Sequence, residues 1–209
     1  MPKKHKVRPG DCVSSLADKY GFAVDTLWDH PDNKTLRAER LHSNVLALGD
    51  VVTVPDLEPA AIKVSAAGRH RFVLNNTHVT FRLVLERGGE PIVDEAYLLR
   101  VGQGEFEGAT DDKGAVEVQI PAASTIATLV LPQRAQQYEL RLGHLAPALT
   151  YLGAAQRLRN IGVFHGAEGT ESTPSLRLAL RLFQRMVSLT PTGELDDATA
   201  TALEDRHGC

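Results

Sequence analysis

The chain has 209 residues, 43% of them hydrophobic and 23% charged, which suits one to three small folded domains. Its formal charge of −3 is spread evenly: residues 1–56 carry eight basic and eight acidic side chains, residues 57–145 nine and eleven, residues 146–209 six and seven. No segment holds the positive field that a phosphate backbone demands, so nucleic-acid binding is not expected, and the run Lys3, Lys4, Lys6 and Arg8 reads as a solvated arm. The two cysteines, Cys12 and Cys209, are too few for a disulfide scaffold and form no closely spaced pair; whether they bond to each other is left open. No run approaches the length of a membrane-spanning helix. The basic start, Met1 to Lys6, is not followed by the apolar stretch of a secretory signal, so the expectation is synthesis in the cytoplasm, with any delivery to the periplasm or wall by a specialised secretion system.

In chain order, residues 5–8 alternate as a short strand and meet a turn at Pro9, Gly10 and Asp11. Ser14 is placed to cap a helix whose Leu16, Ala17 and Tyr20 share a face, and Gly21 stops it. A second helix is expected from Val24 to His30, ending before Pro31. The β-branched run Val51 to Val54, bounded by Gly49, Asp50 and Pro55, reads as a strand. The order is β-α-α-β.

After a linker at residues 57–61 the pattern changes to short alternating runs, with strands expected over 80–85, 96–101, 115–120, 126–131 and 138–142. Turn clusters at 88–91, 102–104 and 111–114 separate them, as in a β-sandwich. From Ala146 the period becomes helical. Leu149, Leu152, Ala155, Gln156 and Leu158 predict a helix ending near Gly162. Pro174 opens the next, with Leu176, Leu180, Phe183 and Val187 on one face, and Asp196 caps a last helix through Ala198, Ala202 and Leu203. The fold class expected is therefore α+β and multidomain: a βααβ module over residues 1–58, an antiparallel β-sandwich over 59–145 and a small three-helix domain over 146–209.

On Pro9, Gly10, Asp11, Ser14, Leu16, Ala17, Tyr20 and Gly21, closed by Asn44, Leu46, Gly49, Asp50, Val52, Val54 and Pro55, the first segment resembles a LysM domain. Cys12 stands where that family usually has Thr, and the stretch from Asp29 to Ser43 is longer than its norm. The resemblance implies binding of N-acetylglucosamine polymers by two facing loops, here Gly10, Asp11, Cys12 and Val13 against Asn44, Val45, Leu46 and Ala47. Backbone amides and carbonyls in such loops suit a neutral sugar chain, with apolar contact for the N-acetyl methyl.

On Gln156, Leu158, Gly162 and Phe164, then the run Ala179 to Gln184, then Leu189, Thr192 to Asp196, Thr199 and Leu203, the last segment resembles a three-helix peptidoglycan-binding domain, although residues 165–173 depart from its pattern. Gln184 is a possible second wall contact or a buried, capping amide. The middle segment, through Thr110, Asp111, Gly114, Ile120 and Pro121, resembles carboxypeptidase-regulatory-like and bacterial Ig-like sandwiches, which implies a spacer or docking domain. The three-part arrangement is similar to accessory proteins of contractile, type VI-like secretion systems.

Other constellations carry less. The histidines, His5, His30, His42, His70, His78, His144, His165 and His207, are scattered without metal-ligand spacing, so no metal is expected; His70 and His78 could meet only across a hairpin. Asp111 and Asp112 sit in a turn signature. Neither cysteine has an assigned base. Asn75, Asn76 and Thr77 form a glycosylation sequon without meaning in a bacterial cytoplasm. Trp28 reads as a core anchor or a sugar-stacking platform. The expectation is a non-enzymatic protein with no cofactor that binds peptidoglycan or a related N-acetylglucosamine glycan. The alternative is an adaptor, chaperone or immunity protein for a secreted effector or spike.

Overall fold

A computed structural model describes residues 2–40, 42–57, 69 and 78–208. The fold is an α+β mix whose buried side chains gather in three separate clusters. His70, expected opposite His78, Cys209, the possible partner of Cys12, residues 58–61 of the linker and the sequon at 75–77 lie outside the described residues.

In the N-terminal region β1 (Lys3–Lys6) pairs antiparallel with β2 (Val51–Val54), His5 opposite Val52. Between them run α1 (Val13–Tyr20), α2 (Val24–Trp28), a 3-10 turn at Pro31–Asn33 and α3 (Lys34–Glu39). The long Asp29 to Ser43 stretch is thus partly helical, and the expected second helix is shorter, because Pro31 opens a new turn. The strand begins earlier than expected, at Lys3. The cap of α1 is also corrected. Cys12 is the N-cap, its sulfur accepting from the Ser15 amide, while the Ser15 hydroxyl accepts from the Cys12 amide. Ser14 lies inside the helix, buried, and donates to Asn44 Oδ1 at 2.6 Å. Gly21 ends α1 with φ at 75°, a left-handed conformation that costs glycine little. Val7, Val13, Leu16, Leu27, Leu46 and Val52 form the core, with Trp28 packed on its edge.

The middle region places β3 (His78–Val84) against β8 (Ala115–Pro121). A second sheet has the order β10-β9-β6-β7, built from β6 (Ala96–Val101), β7 (Gly104–Ala109), β9 (Ile126–Leu131) and β10 (Gln136–Arg141). A small hairpin joins β4 (Glu86–Arg87) to β5 (Glu90–Pro91). Alternate residues from both sheets, among them Val79, Phe81, Leu99, Val116 and Leu129, meet in one core, as sandwich packing requires. β7 escaped the sequence reading because its glycines and glutamates have low strand propensity; it forms through its ladder with β6. The turn at Asp111 is locked by its carboxylate, which accepts from the Lys113 and Ala115 amides; these bonds hold its pKa below the usual value. Gly114 is required there: with φ at 72°, a Cβ would meet the Leu85 carbonyl at 2.5 Å.

The C-terminal region is α4 (Tyr151–Asn160), α5 (Pro174–Met186) and α6 (Asp197–His207). Thr150, Thr173 and Asp196 cap them, each accepting from an amide three residues on. Leu158, Phe164, Leu176, Leu180, Phe183 and Leu203 make the core. α6 also reaches the sandwich, where Arg206 grips Glu86 with both terminal nitrogens, at 3.0 and 2.6 Å.

Candidate functional site

The two loops expected to grip a glycan do lie side by side. The Val13 amide donates to the Ser43 carbonyl at 3.0 Å, and Ser14 ties to Asn44. Their side chains divide sharply. Cys12, Val13, Val45 and Leu46 are buried, so they support the loops and offer no side-chain surface to a sugar. Outward the loops present Asn44 and, in part, Gly10, Asp11 and Ala47, with Leu48 exposed beside them. An open depression of about 680 Å³ lies on the flank, lined by Lys4, Lys6, Arg8, Pro9, Leu48 and Gly49, and includes none of the loop residues expected to bind.

His5 was missed as a partner, although the alternation Lys4, His5, Lys6, Val7 puts His5 and Val7 on the inward face. Its Nε2 lies 2.8 Å from Asp11 Oδ2 and its Nδ1 lies 3.0 Å from the Tyr20 hydroxyl. An ionised carboxylate only accepts, so Nε2 carries a proton toward Asp11, while Nδ1 and the Tyr20 hydroxyl share the second hydrogen bond. Burial raises the Asp11 pKa, but bonds from His5 and the Arg8 amide outweigh it and leave the carboxyl below its ordinary value. The Asp11 carboxylate is therefore committed to the chain Asp11–His5–Tyr20, which fastens the Pro9–Gly10 turn to the end of α1. Gly10 itself faces His144: a Cβ there would lie 3.0 Å from the imidazole.

In the helical region Gln184 is 1% exposed. Its Nε2 donates to the Glu194 carbonyl and Thr199 Oγ1, both at 3.0 Å, and to Thr192 Oγ1 at 3.2 Å; its Oε1 accepts from the Gly193 amide at 2.8 Å. Gln184 is a clamp on the loop between α5 and α6, turned away from solvent, and it offers no wall contact. The corresponding device in the N-terminal region is Asn33, also missed: its amide nitrogen donates to the Leu27 and Thr53 carbonyls and its oxygen accepts from the Thr53 amide.

Residues 154–203 match the family described as "Putative peptidoglycan binding domain". No curated protein and no solved structure matches the chain. The matched stretch begins inside α4 and ends inside α6, so the likeness falls on the three-helix core with its Gln184 clamp. Most of the motif residues of this peptidoglycan-binding-like unit are thereby explained as architecture: Phe183 and Leu203 in the core, Gly193 with φ at 79° packed over α5, Asp196 a cap.

The unit also contains a partly buried titratable group. Burial, with the positive charge of nearby Arg157, pushes the His207 imidazole down to about 4, and Asn160 Nδ2 donates to its Nε2 at 2.9 Å, which suits the neutral ring. The unfolded chain takes up that proton near the ordinary 6.5, so it binds more protons than the fold between the two values. The stabilisation is complete above pH 6.5 and is lost as pH falls toward 4, by roughly 1–2 kcal/mol after allowance for partial exposure. Thermal melts at pH 7 and 4.5 should show that loss, and His207→Gln should remove much of the difference; an unchanged difference would locate the acid sensitivity elsewhere.

Among the described residues, no group of three or more His, Cys, Asp or Glu is arranged to hold a metal ion, and no helix is long and apolar enough to cross a membrane.

Proposed function

We propose that the chain is a non-catalytic binder of peptidoglycan. The observation that carries the reading is the family match over residues 154–203, which coincides with a well-packed three-helix unit. We read the βααβ-like N-terminal region as a LysM-type module, and the paired loops at 10–13 and 43–47 as its glycan-facing edge. On this reading the sandwich is a spacer or docking domain, the organisation is the three units 1–58, 59–145 and 146–209, and the ligand is met outside the cytoplasmic membrane. Two weak sites on one chain raise avidity when both engage the same sacculus. The adaptor reading, a role beside an effector or spike of a contractile secretion system, is the alternative.

Co-sedimentation with insoluble sacculi tests it, using the full chain and residues 1–58 and 146–209 separately, at low and moderate salt. Salt-resistant retention of the full chain, weaker for each part, is the expected result. Retention by 146–209 alone would remove the LysM-type role, and no retention of any form would overturn the wall-binding reading.

A further inference from the structure

We infer that the outer face of α5 is a docking surface for an acidic amphipathic helix of a partner protein. Leu178, Leu182 and Met186 are 57%, 44% and 59% exposed, although each is large and apolar. They recur every fourth residue, so they form one continuous ridge about 12 Å long. Beside it runs a second ridge with the same spacing, Arg177, Arg181 and Arg185, all exposed. The remaining arc of the helix, Leu176, Ala179, Leu180, Phe183 and Gln184, is used by the module's own core. α5 carries no acidic residue, and none of its three arginines forms an ion pair among the described residues.

Ridge spacing and charge select the occupant. A ridge of every-fourth-residue side chains packs into the matching groove of another helix. A bilayer takes a broad apolar face, and here the broad face is already buried, leaving a strip one side chain wide. A second copy of α5 would bring arginines toward arginines. The complement is a helix with apolar side chains at four-residue spacing beside a row of carboxylates, which would supply the countercharges missing from the described residues. The surface is small, so the contact is a weak, reversible one. The inference does not rest on wall binding.

The test uses the full chain and two synthetic helical peptides with leucine at every fourth position, one flanked by glutamates, the other identical but with lysines. Vesicles of phosphatidylcholine and phosphatidylglycerol form a third arm. The glutamate peptide should bind and shift amide resonances on α5. Leu178→Ser with Leu182→Ser should weaken it by about tenfold or more. Reversing Arg177 and Arg185 to Glu should transfer preference to the lysine peptide; Arg181 is left intact because its Nε donates to the Thr192 carbonyl. Equal binding of both peptides, vesicle binding in their place, or no shift on α5 would each overturn the assignment. Retention of the double-serine variant on sacculi, measured in parallel, separates failure here from failure of the wall-binding reading.

Discussion

Replacing Gln184 by Met should lower the stability of the C-terminal unit by about 3 kcal/mol, although it keeps most of the side-chain volume. The loss is polar in origin. Gln184 satisfies the Gly193 amide and the Glu194 carbonyl, and it also bonds the hydroxyls of Thr192 and Thr199. Methionine would leave the buried Gly193 amide without its acceptor and take the donor from the buried Thr199 hydroxyl, while the exposed Thr192 and Glu194 can turn to water; an unpaired buried group costs more than the net worth of the bond it lost. For a unit of this size the midpoint of thermal unfolding should fall by about 15 °C. Gln184→Ala should be worse, since it adds a cavity. A Met variant that melts with the parent would show that the amide is mere filling. If the unit binds the wall, sacculus retention by residues 146–209 should fall with the folded fraction and recover on cooling.

The second large effect belongs to Asn33 in the N-terminal region. Asn33 is 1% exposed and pairs with both backbone groups of Thr53, so its amide acts as a short extra strand on the free edge of β2. Asn33→Ala should cost about 3 kcal/mol through unpaired backbone and lost packing. Asn33→Asp is a sharper probe. The carboxylate can still accept from the Thr53 amide but faces the Leu27 and Thr53 carbonyls without a proton to donate. Burial there would raise its pKa in the fold, so this variant should gain stability as pH falls, opposite in sign to the His207 effect. Trp28, the only tryptophan, sits on the same core and reports N-terminal unfolding by its fluorescence. An Asp variant whose tryptophan transition is no more stable at pH 4.5 than at pH 7, relative to the parent, would rule out the amide ladder.

Both residues show what a linear reading could and could not see. Gln184 stood out in the sequence because it lies in a motif, but its role stayed ambiguous: amide side chains serve as ligands and as clamps, and only the inward turn of α5 decides between them. Asn33 did not stand out at all. It lies in the long stretch between Asp29 and Ser43, where no motif marks it, and its partner Thr53 is 20 residues away. The loop residues behaved similarly. Gly10, Asp11 and Asn44 could be placed at a surface from turn chemistry, whereas the burial of Cys12, Val13, Val45 and Leu46 depends on how α1 packs beneath β2.

What the sequence determined by itself is what depends on local periodicity and backbone conformation: the alternation that makes β6 and β9, the helical spacing of α5 and its start at Pro174, the cap at Asp196, and the glycine-dependent turns at Gly10, Gly21 and Gly114. These follow from interactions within a few residues, which a linear chain displays directly. The tertiary structure alone decided which polar side chains turn inward and which apolar ones are left outside. Asp11, His5 and Tyr20 meet because β1 crosses the end of α1. Leu178, Leu182 and Met186 are left exposed because the three-helix core is complete without them. Burial is settled by the summed packing of distant elements, and no local pattern encodes that sum.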